Sequence, residues 1–359
     1  MNSEYLLWSE IGILNKDRFE AIQEVYGDFR EAQKHIGPEM LKGLGCRQDT
    51  IEKTLERLDH FDEDATIARL KKEGITLITL TDARYPVRLR HIEDSPPFLY
   101  AQGDLDILGQ PCIALVGTRK MSAYGRRATE EFTPAFSQAG MVTVSGLAHG
   151  VDTCVAEETL KAKGKTVAVL GHGFAHLAPA SRRKLAQEIV QSGGLILSEF
   201  PLDQSGDTYM FPARNRIIAG LSLATVVLEA PEGSGALITA ELALDYNREV
   251  FVVPGQIFDP NYAGSNMFIS KGFARLVTSP VQVLEDLGIV APAQGSRMDY
   301  HPQNAQEEAL YPLLTTMPQR MDDLVTKSAL TAAQVNATLT MLELSGAAKN
   351  VGSGQWVRM

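Results

Sequence analysis

The run Phe211-Pro-Ala-Arg-Asn-Arg-Ile-Ile-Ala-Gly-Leu-Ser222 sets two guanidinium groups, Arg214 and Arg216, on either side of the Asn215 amide at the head of an apolar helical stretch. Such donors suit phosphate: arginine forks clamp oxygens two at a time, and a helix N-terminus adds a favourable dipole. Other turns carry the same chemistry. Gly117-Thr118-Arg119-Lys120-Met121-Ser122-Ala123-Tyr124-Gly125 follows an apolar strand and opens a helix, placing Arg119 at the strand tip. It lacks the Gly-x-Gly-x-x-Gly spacing of a dinucleotide turn. Ser145-Gly146-Leu-Ala-His149-Gly150-Val-Asp152 has small residues that let a backbone pass close, and Gly171-His172-Gly173 leads on to Arg182, Arg183 and Lys184. In Pro231-Glu232-Gly233-Ser234-Gly235-Ala-Leu-Ile-Thr239-Ala-Glu241, the Ser234 and Thr239 hydroxyls and the N–H groups from Gly233 to Leu237 can all donate. Several phosphate-type turns without a nucleophile between them point to a polyanion holder.

Two histidine patterns carry less. His149 has no evident partner, so a structural role is expected. His172 and His176 are spaced i, i+4 like a metal pair, but the neighbouring glycines break the helix that spacing needs, and no carboxylate or cysteine is close. No metal or cofactor is expected.

The 359 residues allow two or three domains. The net charge of −10 argues against non-specific duplex binding by the whole surface. The charge is uneven, however: residues 1–70 hold fifteen acidic and nine basic residues, whereas Gly117–Arg127 and Gly171–Lys184 contain bases and no acid. Basic loops on an acidic body imply a narrow positive groove. No apolar stretch approaches the roughly 20 residues a membrane helix needs. The acidic N-terminus does not read as a secretory signal, and the scattered Cys46, Cys112 and Cys154 read as reduced thiols of a cytoplasmic protein.

Alternating strands and helices must hold these turns. Residues 1–70 have helical spacing, and Met40–Gly45 reads either as a helix–hairpin–helix turn or as a plain glycine turn. Strands are expected at Ile75–Leu80, Cys112–Val116, Met141–Val144, Lys165–Leu170, Leu195–Ser198, Leu223–Leu228 and Glu249–Val253. Helices are expected at Arg127–Gln138, Asp152–Lys161, Ser181–Gln191 and Ala236–Tyr246. That order predicts an α/β fold with a doubly wound parallel sheet, its ligands at the carboxyl ends of the strands. The glycine turns fall at those ends. A linker is expected over 291–304. The capping box Thr331–Gln334, the helical face of Val335, Leu339 and Leu342, and a two-stranded wing around Gly352-Ser-Gly354 predict a winged helix at 305–359.

Taken together, these motifs resemble the DprA (Smf) family of bacterial DNA-processing proteins. The likeness runs through Gly-Thr-Arg, Ser-Gly-Leu-Ala-His-Gly-Val-Asp, Gly-His-Gly, Ser198-Glu-Phe-Pro201, the arginine run, Ser-Gly-Ala-Leu-Ile-Thr-Ala-Glu and Val253-Pro-Gly255, over roughly 75–290. It implies an extended Rossmann-like domain over 71–290 that binds single-stranded DNA, with a helical domain at 1–70 and the winged helix as accessories. It also implies a homodimer that loads the recombinase RecA during natural transformation. Arg119 matches the family's DNA-touching arginine. The sequence departs at Ala178-Pro179, where the family has Tyr-Pro, and at Arg182, where it often has asparagine; Arg182 and Arg183 are the basic candidates there. Met267, Phe268, Ile269 and Phe273 form an apolar group in the region where the resemblance places self-association. The expected function is a non-enzymatic recombination mediator. One alternative is a nucleotide phosphoribohydrolase, whose Pro-Gly-Gly-x-Gly-Thr turn is altered here by Glu232. Another is a transcription regulator, weakened by the absence of Arg and Lys from Thr331–Leu344.

Overall fold

The computed structural model describes residues 3–177, 179–289, 300–315, 319–352 and 354–358. Chain contacts divide it into two units, Met1–Ala291 and Pro292–Met359. The expected linker lies mostly outside the described residues, as does Ala178.

The first unit is built on nine strands: β1 (Ile75–Thr79), β2 (Phe98–Gly103), β3 (Cys112–Gly117), β4 (Val142–Ser145), β5 (Thr166–Leu170), β6 (Leu195–Ser198), β7 (Ala224–Glu229), β8 (Glu249–Val252) and β9 (Arg275–Leu276). Their order is β1-β2-β6-β5-β4-β3-β7-β8-β9. Every pairing from β6 to β9 is parallel, while β2 runs antiparallel to β6 and β1 to β2. The chain winds outward from β3 to β6, then returns to β7 and winds the other way. The sheet is therefore doubly wound, with β1 and β2 extending it as an antiparallel flank.

Its helices are α1 (Leu6–Ile11), α2 (Lys16–Tyr26), α3 (Phe29–Gln33), α4 (Pro38–Gly43), α5 (Gln48–His60), α6 (Glu63–Glu73), α7 (Val87–Arg90), α8 (Ala123–Gln138), α9 (Val151–Lys161), α10 (Ala180–Gln191), α11 (Met210–Leu221), α12 (Gly235–Asp245), α13 (Ala263–Ser270) and α14 (Pro280–Asp286). Both sheet faces are covered, which is why the central strands are apolar throughout. Along β3, Ile113 and Leu115 join Phe132 and Phe136 of α8, Val155 of α9 and Val283 of α14. Ala114 and Val116 join the other core, with Ile217 and Ile218 of α11 and Ala240 of α12.

Helices α1–α6 share that second core. The Trp8 indole donates to the Phe29 carbonyl at 3.1 Å, and Phe19 stands 4.5 Å from Phe29 and 5.8 Å from Phe98 of β2, ring centre to ring centre. The Met40–Gly45 turn is a helix C-terminus. The amides of Leu44, Gly45 and Cys46 donate to the carbonyls of Met40, Lys42 and Leu41 at 2.8–2.9 Å, leaving none of these three N–H groups for a DNA phosphate. Among the described residues no helix is long and apolar enough to cross a membrane.

The second unit contains α15 (Ala305–Leu310), β10 (Gln319–Arg320), α16 (Met321–Ser328), α17 (Ala332–Leu344), β11 (Ala348–Gly352) and β12 (Gln355–Arg358). The Thr331–Gln334 capping box forms, and Val335, Leu339 and Leu342 are buried. The three strands pair in the order β10-β12-β11. Ser353 lies outside the described residues.

Candidate nucleic-acid interface

The turns leaving β3, β4 and β5 meet the start of α11 at the carboxyl edge of the sheet. Arg119, on the turn after β3, is exposed, with its guanidinium carbon 5.6 Å from the centre of the Phe211 ring. Phe211, in the first turn of α11, also makes an edge contact with His172, at 6.4 Å between ring centres. A side chain at Gly171 would come within 2.9 Å of the Phe211 ring, so this glycine is the seat of the aromatic.

Arg214 lies beneath this surface. It is 4% exposed and donates to the Gly146 carbonyl at 2.9 Å and to the Val169 carbonyl. A Cβ on Gly146 would fall within 2.6 Å of the guanidinium, so Gly146 is glycine to let Arg214 cross it. Burial lowers the Arg214 pKa to about 10; attraction to Asp152 opposes the shift, and repulsion from Arg119 adds to it. Burial also lowers the pKa of Arg182, and again Arg119 contributes. His172 is pushed down by burial and by nearby cations including Arg214 and Arg182. Arg119, Arg182, Arg214 and His172 thus sit in one region of positive potential, above the buried Asp152.

The expectation that Arg214, Asn215 and Arg216 clamp phosphate together needs correction. Arg214 is spent on backbone carbonyls. The Asn215 amide accepts from Arg214 Nε at 3.2 Å and donates to the Gly235 carbonyl at 3.1 Å, joining α11 to α12. Arg216 points elsewhere: its fork holds Glu199 at 2.9 and 2.5 Å, and its Nε donates to the Asp94 carbonyl at 2.9 Å. It borders a separate cleft of about 850 Å³. Glu199 therefore has a role, as the partner of Arg216.

The other sequence candidates divide similarly. Ser145 donates from its hydroxyl to the Leu115 carbonyl at 2.8 Å, and Thr239 is buried. A Cβ on Gly173 would strike the carbonyls of Pro201 and Leu202, so that glycine is a packing requirement. The Thr118 hydroxyl accepts from the Lys120 amide at 3.2 Å, shaping the turn that exposes Arg119 and Lys120. Arg183 donates to the Leu177 carbonyl at 3.2 Å and remains exposed. Gly233 (φ +72°) and Gly235 stand in open space at the start of α12, where the Ser234 hydroxyl accepts from Ala236 N at 3.3 Å. Phe268 is 1% exposed and belongs to the core, which removes it as a contact residue; Met267 and Ile269 are half-buried and Phe273 is 46% exposed.

One functional feature was missed from sequence. The N-terminus of α8, where a Rossmann fold would hold a nucleotide phosphate, is filled by the chain's own Glu229. This carboxylate, at the end of β7, accepts from Ser122 N at 3.0 and 3.1 Å, from the Ser122 hydroxyl at 2.8 Å and from Tyr262 OH at 3.1 Å. A Cβ on Gly125 would sit 1.7 Å from its oxygen. The glycine of that turn admits an internal anion. Among the described residues no group of three His, Cys, Asp or Glu side chains could hold a metal ion.

Comparison with known proteins agrees with this architecture. The family model described as DNA recombination-mediator protein A matches residues 76–288, and that of the DprA winged helix domain matches 294–354. DNA processing protein DprA of Bacillus subtilis is 39% identical over 222 residues, 62% of this chain and 74% of that protein. The X-ray structure of DNA processing protein A from Streptococcus pneumoniae superposes with a TM-score of 0.67 at 33% identity, covering 80% of this chain and 98% of that one. A structure of DNA processing protein A from Helicobacter pylori, giving insight into that protein's unique single-stranded DNA binding mode, superposes with a TM-score of 0.53 at 30% identity, covering 59% of this chain and 95% of that one. The chain therefore belongs to the DprA family of DNA recombination-mediator proteins, and its function lies in DNA processing.

Proposed function

We propose that this protein binds single-stranded DNA along the carboxyl edge of its sheet, protects incoming strands and loads RecA onto them in the cytoplasm during natural transformation. The observation that carries the reading is Arg119: an exposed guanidinium at a strand tip, braced on Phe211, in a turn whose own residues include no acid. Lys120, Arg182 and Arg183 extend the positive surface, and the open Gly233–Gly235 turn offers further N–H groups. Arg214 supports it from below. The Helicobacter relative's binding of single-stranded DNA supports the choice of ligand.

The protein is proposed to act without catalysis. Glu229 puts a negative charge where a nucleotide phosphate would bind, so nucleoside monophosphates should release no free base; turnover abolished by Glu241→Gln would favour the phosphoribohydrolase. A homodimer through Met267, Ile269 and Phe273 would set two DNA edges on one particle and raise avidity. A gel shift comparing single-stranded with duplex DNA of equal length at two salt concentrations tests the reading. Single strands should bind more tightly and weaken with salt; equal or tighter duplex binding would contradict it.

A further inference from the structure

The loop after β8 carries Phe258, the most exposed large apolar side chain among the described residues at 92%, beside Ile257 at 79%. The loop is held at its base. Gly255 N donates to the Asn266 amide oxygen at 3.2 Å, and Asn266 Nδ2 returns a bond to the Gly255 carbonyl at 3.1 Å. Asp259 N closes a turn on the Gln256 carbonyl at 3.1 Å, and its carboxylate turns inward onto Asn261 N at 3.0 Å. An apolar tip on a pinned loop, left exposed among the described residues, marks a contact surface.

Its position identifies the partner. Tyr124 OH donates to the Pro254 carbonyl at 3.1 Å, so the loop touches the first turn of α8, directly after the basic turn that carries Arg119 and Lys120. The Tyr124 ring is itself exposed and stands edge-on to Tyr262 at 5.4 Å. Exposed cations beside exposed aromatic rings are the two parts of a single-strand site, one for phosphates and one for bases.

We propose that Phe258, next to Ile257 at the tip of the loop whose base Tyr124 contacts, is a base-stacking station for single-stranded nucleic acid, continuing the path beyond Arg119. This rests on the single-strand reading above. Stacking is indifferent to base identity and carries no charge. Losing it lowers affinity about equally at every salt concentration, whereas losing an arginine contact changes the salt slope.

The test uses the full chain with oligo-dT and an abasic oligonucleotide of equal length, followed by fluorescence anisotropy at several salt concentrations. Phe258→Ala should weaken oligo-dT binding about ten-fold with the slope unchanged, and should leave abasic binding unaffected. Phe258→Trp, at a site too exposed to disturb folding, should bind oligo-dT with tryptophan quenching that the abasic strand does not produce. Wild-type affinity in Phe258→Ala with no quenching in Phe258→Trp would overturn the proposal while leaving the single-strand reading intact. Loss of self-association in Phe258→Ala, with DNA affinity unchanged, would assign the tip to a protein contact and overturn it also. Absence of oligo-dT binding by the wild type would overturn both readings.

Discussion

Arg119 and Arg214 lie in one positive cluster and serve different ends. Arg119 faces solvent over Phe211, while Arg214 satisfies the Gly146 and Val169 carbonyls and offsets the buried Asp152. Arg214→Ala leaves those groups buried without their cation and should destabilise the fold by about 3 kcal/mol, read from urea unfolding. The pH dependence follows from Asp152. Burial raises its pKa, with Arg214 opposing the shift, so the folded chain holds this proton more tightly than the unfolded chain. Its stabilising contribution is present below the unfolded pKa and is lost as pH rises through the raised folded value. In Arg214→Ala the loss should extend to higher pH; unfolding midpoints from mildly acid to neutral pH check this. The arginine motif was legible as chemistry, but the expected geometry of one shared clamp was wrong. Residues two apart on a helix do not share a face, so Arg214 and Arg216 could not both meet one ligand. What spacing alone does not show is that each would find an internal partner.

Glu229 decides how the turn after β3 behaves. A sequence that passes from an apolar strand through glycine into a helix reads as an anion site, and it is one, but the anion comes from the neighbouring β7. Glu229→Gln removes the charge while keeping one acceptor, and should cost about 1–2 kcal/mol; an unchanged urea midpoint would mean that the carboxylate does not support α8. The seven expected strands appear within a residue or so at their ends: six are parallel strands that read as continuous apolar runs, and β1 is a short apolar run on the antiparallel flank. Three strands, β2, β9 and β10, were not expected. The Phe98–Gly103 strand is a short apolar run directly after Pro96-Pro97, and β9 and β10 are each two residues long. Both residues of β9 are exposed, so burial imposes no apolar pattern there, whereas Phe98–Ala101 of β2 are buried but form an apolar run too short to mark a strand by itself.

At the scale of the whole molecule, the first unit carries every residue assigned to DNA contact. A chain ended at Ala291 should keep its single-strand affinity; a folded fragment that loses it would place part of the site in the winged helix. Helix α17 supports this expectation, since it has no Arg or Lys to meet a phosphate backbone. The proposed self-association surface reads in the sequence only as an apolar group, because the sequence does not show which members face inward. With Phe268 in the core, Phe268→Glu should unfold the protein by burying an unpaired charge. Phe273→Glu and Met267→Glu should give folded monomers in sedimentation, with circular dichroism confirming the fold. A folded dimer in both would move the interface elsewhere.

The central claim is that Arg119 at the carboxyl edge of β3 holds a DNA phosphate. The most direct measurement is the salt dependence of single-strand affinity in wild type and Arg119→Ala, both verified as folded. The account predicts weaker binding at low salt and a log K against log salt slope shallower by about 0.7, the release of counterions from one phosphate. Identical affinity and slope in the two proteins would contradict it.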